Sequence, residues 1–406
     1  MSSTGMPRRS PRWAELALAL GGFGIGTGEF VIMGLMERVA HDFAIDVPDV
    51  GYAISSYALG VVVGAPIISA LAARVPRKGL LITLMLLFAI GNFASIMAPG
   101  FWSFVALRFI AGLPHGAYFG VAALVAAAAV PVQERGRAIG RVMSGLSVAI
   151  LLGAPLATWA GNLMGWQVAF AGVGVIALMT MVMVHFWVLR QPIDHQASPK
   201  REMTALIKPR VLSTLAIACM GCGGVFAVFS YVVPTLTAQA GMPQSLGPIV
   251  LAVFGVGTII GNLLGGRLTD WNLLKAIPLM LGWCILVQSG FFFAANALWS
   301  GLLFVALVGT CIGVAPAMQT RLMDVAEDAQ TMAASLNHAA FNMANALGAW
   351  LAGLTVKAGF EWSSTGWVGA GLALLGMLIF FASQAAERRV KLPDHRDDRA
   401  GCHDVS

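Results

Sequence analysis

Charge is scarce in this chain of 406 residues: Asp, Glu, Lys and Arg together make up 11% of it, against 58% hydrophobic residues. A soluble domain carries about 25% charge, so a water-soluble globule is excluded. Cysteine is also scarce, with five in all. Cys219 and Cys222 form a C-x-x-C inside an apolar stretch, where redox or metal chemistry would need water and further ligands, so we read the pair as small-residue packing. Cys284, Cys311 and Cys402 show no informative spacing. The sequence has no phosphate-cradling glycine loop, no clustered His/Cys/Asp spacing and no nucleophile with a base at readable distance. Neither an enzyme, a metal nor an organic cofactor is expected. The basic N-terminus leads into an apolar run too long for a secretion signal and closed by no small-x-small cleavage site, so it reads as a span.

What is present is long apolar runs. A membrane-spanning helix needs about 20 mostly apolar residues, and twelve windows qualify: 14–36, 51–73, 79–98, 102–127, 138–160, 167–189, 212–236, 247–268, 276–295, 297–320, 332–356 and 366–386. This predicts an all-α polytopic membrane protein. With the N-terminus inside, one face collects 22 Lys and Arg residues and the other only Arg38 and Lys357, while Arg108 falls within a span. Positive charge gathers on the cytoplasmic side, so both termini are expected there, in a bacterial inner membrane. The net charge of +6 then reflects topology and attraction to anionic headgroups, and no nucleic-acid partner is implied.

The most polar interior stretch, from Arg190 to Arg210 with Pro192, Pro199 and Pro209, divides the spans six and six. The expected layout is a tail over 1–13, a first half over 14–190, a cytoplasmic loop over 191–211, a second half over 212–386 and a tail over 387–406. An offset of 197 residues maps Gly60, Gly64, Trp102, Gly112 and Gly116 onto Gly257, Gly261, Trp299, Gly309 and Gly313. Six-helix halves repeated in the same orientation are the architecture of alternating-access transporters. Glycines four apart allow close helix approach. In span 5, Gly153 and Pro155 predict a kink.

Several stretches carry a family resemblance over essentially the whole chain. They are Gly26-Thr27-Gly28-Glu29-Phe30 with Met33-Gly34-Leu35, Tyr57-Ala58-Leu59-Gly60, Ala111-Gly112-Leu113-Pro114-His115-Gly116, Gly165-Trp166 with Phe170, and Phe341-Asn342 with Asn345-Ala346-Leu347-Gly348. On these the chain resembles the major facilitator superfamily, in its twelve-helix drug:proton antiporter branch of arabinose-efflux-like, purine-efflux-like and chloramphenicol-efflux-like permeases. The family's gating-loop motif would fall on Ser69 to Lys78, where Ser69, Ala73 and Pro76 depart from it while Leu71, Arg74, Arg77 and Lys78 hold; the second half keeps Gly266, Leu268 and Asp270. The resemblance makes Arg74, Arg77, Lys78 and Asp270 gating-loop residues. The antiporter motif of span 5 is partial, with Thr158 and Trp159 where glycines are expected.

Glu29 is the chief functional candidate, a lone acid within the apolar run from Trp13 to Met36. An ionisable group at bilayer depth costs roughly 2.5–3.5 kcal/mol on insertion scales and normally faces a wet cavity or a partner. Glu29 lies seven residues before the outer end of span 1 and Arg108 about seven after the outer start of span 4; at about 1.5 Å per residue both sit roughly 10 Å below that surface. Equal depth permits pairing, and the resemblance matches Arg108 to an arginine beside the protonation site. The expected mechanism makes Glu29 the proton-carrying acid and Arg108 the fixed cation that keeps it charged until substrate or conformational change separates them; the alternative is a static ion pair bracing two helices. His115, seven residues beyond Arg108 and on the same helix face, is either a proton relay or a packed histidine. His338, Asn342 and Asn345 form a polar stripe on span 11, and Thr27, Tyr57, Tyr118, Tyr231, Gln319 and Asn262 are further cavity candidates. Glu15 reads as interfacial. The expectation is a monomeric proton-coupled exporter of a small organic molecule, with H+ as the coupling ion; the alternative is a facilitator or symporter for a sugar or nucleoside.

Overall fold

The computed structural model describes residues 11–71, 75–131, 134–189, 208–326 and 330–391. The expected tails, the central loop and Arg74 lie wholly or largely outside the described residues. Eleven helical segments among those described are long and apolar enough to cross a membrane. One, Gly247–Ala294, is twice the needed length and is interrupted at Asn272, whose φ of −167° and ψ of 104° are extended. Divided there, the described residues form twelve spans, numbered α1 to α12. In the first half these are α1 Pro11–Gly34, α2 Gly51–Leu71, α3 Arg77–Ile96, α4 Phe101–Ala128, α5 over Arg135–Val148 and Ala154–Met164, and α6 Trp166–Trp187. In the second they are α7 Pro209–Ala240, α8 and α9 as the two arms of Gly247–Ala294, α10 over Leu298–Thr310 and Val314–Ala326, α11 Gln330–Lys357 and α12 Thr365–Lys391. We call the end where α1 starts and α12 finishes the basic face, and the opposite end the far face.

The repeat read from the sequence reappears as matched contacts. A Cβ on Gly60 would lie 2.2 Å from the Phe109 carbonyl oxygen, and one on Gly257 2.1 Å from that of Ala306. Likewise Gly112 meets the Tyr57 carbonyl where Gly309 meets that of Phe254, and Gly64 meets Leu113 where Gly261 meets Thr310. Each pair is separated by the same 197 positions. The glycines remove the side chains that would hold α2 from α4 and α8 from α10.

The kink expected in α5 takes the form of a π-helical turn, Ala149–Gly153, directly before Ala154-Pro155. Proline supplies no N–H to the ladder and crowds the turn before it, and the wider π turn accommodates both. Gly153 sits against α1, where an added Cβ would lie 2.1 Å from Thr27 Oγ1. At the end of α5, Gly165 has φ +99° and ψ 144°, a conformation reserved for glycine. It turns the chain sharply into α6, led by Trp166.

The halves meet along two seams, α2 against α11 and α5 against α8. On the far side both are closed. The Tyr231 hydroxyl of α7 bridges the carbonyl oxygens of Pro48 (3.2 Å) in the first half and Ala349 (3.1 Å) in the second. Lys357 pairs with Asp49, Ser55 donates to the Ala346 carbonyl at 3.0 Å, and Phe30 packs on Phe229. A Cβ on Gly255 would come within 2.7 Å of Leu151 Cα, so α5 and α8 touch backbone to backbone. The amphipathic helix Met36–Phe43 lies on the first half's far side, where Asp42 accepts a 2.8 Å hydrogen bond from the Trp166 indole.

Candidate functional site

Between the halves lies a cavity of about 240 Å³ open to water-sized molecules. Its walls are mostly apolar, with Phe30 on α1, Phe226 on α7, Phe254 on α8 and Phe341 on α11, and its lining runs toward the basic face through Met143, Asn262 and Asn337. Polar groups are set among these apolar walls and converge on the cavity, as in ligand sites generally. Glu29, His115, His338 and Asn342 line the cavity together with Ser147, Thr258, Asn262 and Asn337. Glu29 is its only carboxylate, and no Lys or Arg stands in its wall among the described residues.

Glu29 is 5% exposed. Its Oε1 accepts a hydrogen bond from Asn345 Nδ2 at 3.1 Å, so a side chain of the second half holds the acid of the first. Its Oε2 lies 3.9 Å from His115 Nδ1, which is also 3.2 Å from the Tyr57 hydroxyl. His115 faces His338 across the seam with ring centroids 6.2 Å apart, and Phe119 stacks on His338 at 4.9 Å, nearly parallel. Asn342 donates to the carbonyl of His338, one turn earlier.

Arg108 is wholly buried but makes no salt bridge with Glu29. Its Nη2 donates to the Gly28 carbonyl at 2.8 Å, and its guanidinium carbon lies 4.3 Å from the centroid of the Tyr57 ring and 5.0 Å from that of Phe170. Cation–π contact replaces the ion pair, and the positive charge stays behind Tyr57, out of the cavity wall. The same depth that permitted pairing brings the two charges near each other with Asn345 and the Gly28 carbonyl as their direct partners.

Other candidates fall elsewhere. Thr27 bonds back to the Phe23 carbonyl at 2.7 Å and packs on the π turn of α5. Tyr118 donates to the Leu18 carbonyl at 2.9 Å, bracing α4 to α1. Tyr231 closes the far seam, and Tyr57 stands behind the wall as the shelf for Arg108 and the partner of His115. Gln319 is half-buried and outside the lining. A buried phenol must bond something, and in these helices the nearest acceptors for Tyr118 and Tyr231 are neighbouring backbone carbonyls, which turns both away from the cavity. Of the gating-loop residues, Lys78 donates to the His185 carbonyl on α6, Arg77 opens α3 and Asp270 is exposed near the end of α8. Glu15 is buried, and Arg141 grips it with two bonds of 2.6 and 2.8 Å from α5, so it braces two helices.

Sequence reasoning missed the four phenylalanines, Ser147, Thr258 and Asn337. Phe254, Thr258 and Asn262 recur every fourth residue, a readable stripe on α8. Phe226 gave no such signal because its stretch of α7 is apolar nearly all round.

A family model described as the Major Facilitator Superfamily matches residues 18–333. The chain is 35% identical over 371 residues to the inner membrane transport protein YdhP of Escherichia coli (strain K12), covering 91% of this chain and 95% of that one. It is 31% identical over 382 residues to a chloramphenicol resistance protein of Streptomyces lividans, covering 90% and 94%. Among solved structures, a bacterial homologue of the human lysosomal transporter Spinster, inward-facing and unoccupied, superposes with a TM-score of 0.73 at 16% identity, over 95% of this chain and 98% of that one.

Proposed function

This chain belongs to the Major Facilitator Superfamily and is a multi-pass membrane transporter, and we propose that it is a proton-coupled exporter of a small organic molecule, working as a monomer in a bacterial inner membrane. The observation that carries this reading is the bond from Asn345 to Glu29: the one carboxylate among the described residues of the cavity wall is held across the seam by the other half. Protonation of that carboxylate and relative movement of the halves therefore act on the same contact. The names of relatives such as the chloramphenicol resistance protein support outward transport.

With the basic face read as cytoplasmic, the sealed far face and the lining that runs toward the basic face describe an inward-facing carrier. Cargo enters from the cytoplasm while Glu29 gives up its proton there. The halves then part on the far side and cargo leaves. A proton arriving from the periplasm neutralises the acid, and the neutral form returns. His115, between Glu29 and His338, is the relay group in this scheme, and Arg108 supplies fixed positive charge that favours the carboxylate. One proton moving inward gains about 2.3 kcal/mol from 100 mV and about 1.4 kcal/mol from one pH unit, enough for a cargo gradient of several hundredfold.

Proteoliposomes test this. With chloramphenicol or a purine nucleoside as cargo, the wild type collapses an imposed pH gradient and Glu29→Gln, inserted at normal yield, does not. Counterflow of cargo with no proton movement in either protein would replace the exporter by a facilitator, and co-movement of proton and cargo in one direction by a symporter.

A further inference from the structure

The far seam holds a carboxylate that the transport scheme does not use. α1 ends at Gly34, and after Leu35 the amphipathic helix Met36–Phe43 begins, with Glu37 in its first turn. A Cβ on Gly34 would lie 2.8 Å from a terminal carbon of Leu251, so the end of α1 meets α8 of the other half closely. Beside this contact is a cleft of about 10 Å³, lined from the first half by Glu37, Arg38 and Asn162 and from the second by Val233, Pro234 and Gln244. A space of that size holds one water at most, whereas an ionised carboxylate in solvent is hydrated on every side. Glu37 is half-buried and makes no hydrogen bond or ion pair among the described residues. Arg38, the other charged residue of the cleft, donates instead to the Asn162 carbonyl. Asn162, Val233, Pro234 and Gln244, which α5, α7 and the approach to α8 turn toward it, do not titrate. On its own helix His41 and Asp42 bond each other, and Asp42 also accepts from Trp166. In the turn Val47–Val50, packed against that helix, Asp49 is held by Lys357, which also attracts Asp46. A place in the first helical turn favours the charged form, yet burial without a partner prevails and raises the Glu37 carboxyl above its usual value of 4.5.

We propose that Glu37 is a proton-operated latch of the far side: its neutral form fits the closed seam between the halves, and its ionised form needs the water that only a parted seam admits. The closed seam binds the proton more tightly than the open one. Closure is therefore favoured fully below the usual carboxylate value of 4.5, and that preference is lost as pH rises through the raised value of the closed form. Glu37 is partly exposed on the far face while the seam is closed and meets the same water when it opens, so its proton comes from one side and returns to it. It gates the path without carrying a proton across. In the scheme above, acid on the far side helps the seam close once cargo has left. The latch requires only that the halves move, so it serves a facilitator or a symporter equally and does not rest on proton-coupled export.

The test separates Glu37 from the cavity acid. Spin labels are placed on cysteines introduced at Leu163 and Ile249, exposed residues at the far ends of α5 and α8, in full-length protein whose five native cysteines are replaced by alanine. Every sample also carries Glu29→Gln, which removes the titration of the cavity. The far-side-open fraction, read as the population at longer distance, is expected to rise at least about threefold from pH 4.5 to about pH 8. Adding Glu37→Gln is expected to abolish the rise and keep the seam closed at both values. Glu37→Asp, which retains an acid there, is expected to preserve a rise, and His41→Gln on the same helix to leave it unchanged. No rise with Glu29→Gln alone, an equal rise with Glu37→Gln added, a flat response in Glu37→Asp or loss of the rise in His41→Gln would each overturn the proposal. A wild type that moves cargo without protons would remove the exporter reading and leave this result untouched.

Discussion

Arg108 is held by shape as much as by charge. Its guanidinium lies between the Tyr57 and Phe170 rings with one bond to the Gly28 carbonyl, an arrangement that an ammonium on a flexible stem does not reproduce. Arg108→Ala leaves a void behind Tyr57 and removes the added bond to the Gly28 carbonyl, a loss of about 3 kcal/mol by the usual range for large buried side chains, read as a lower unfolding temperature in detergent. Arg108→Lys keeps the charge but not the stack, so it is expected to recover only part of the stability while retaining part of the transport that Arg108→Ala loses. Asn345→Leu removes the donor to Glu29 and leaves the cavity wall in place. The pH profile of transport should move in that variant while the cargo-binding midpoint stays within a few fold; a fixed pH profile would show that Asn345 has no part in coupling.

At the scale of helices, two classes of glycine separate folding from motion. Gly60 faces the Phe109 carbonyl within the first half, a contact needed in every conformation. Gly255 faces Leu151 across the α5–α8 seam, a contact made while the far side is closed. Gly60→Val is expected to abolish folded yield. Gly255→Val should fold and hold the far side open, seen as a longer spin-label distance across the α5–α8 seam. Much at this scale was legible in the sequence: the twelve spans, the repeat and the kink before Pro155 all rest on local composition and spacing. The two seams were not, because which face a helix turns inward is marked only by contrast around its circumference. The charged residues Glu29, Arg108 and His115 stood out against apolar spans, and the stripe of His338, Asn342 and Asn345 stood out by its period. Phe226 had no polar background to stand out from, and Tyr118 and Tyr231 misled because a phenol buried among helices is satisfied by whichever carbonyl is nearest.

Over the whole molecule, the duplication has kept its scaffold and divided its chemistry. At the matched offset of 197 residues Glu29 corresponds to Phe226, Tyr57 to Phe254 and His115 to Ile312, and all three apolar counterparts line the cavity. The first half carries the acid, the buried arginine and His115, while the second supplies His338, an aromatic wall and the amides that meet them. Closure on the far side joins these unlike halves, and Tyr231→Phe, which removes the bridge from Pro48 to Ala349, should weaken it by roughly 1 kcal/mol. That is about a fivefold shift toward the far-side-open form, measurable by labelling a cysteine placed at Phe30. On the proton-coupled reading, a single acid among the described residues of the cavity wall also sets the electrical character of exchange. If one proton enters for each molecule exported, an uncharged cargo leaves a net inward current and a cargo with one positive charge leaves none. Whether the transporter drives current across a supported bilayer therefore reads out the charge of its cargo before the cargo's structure is known.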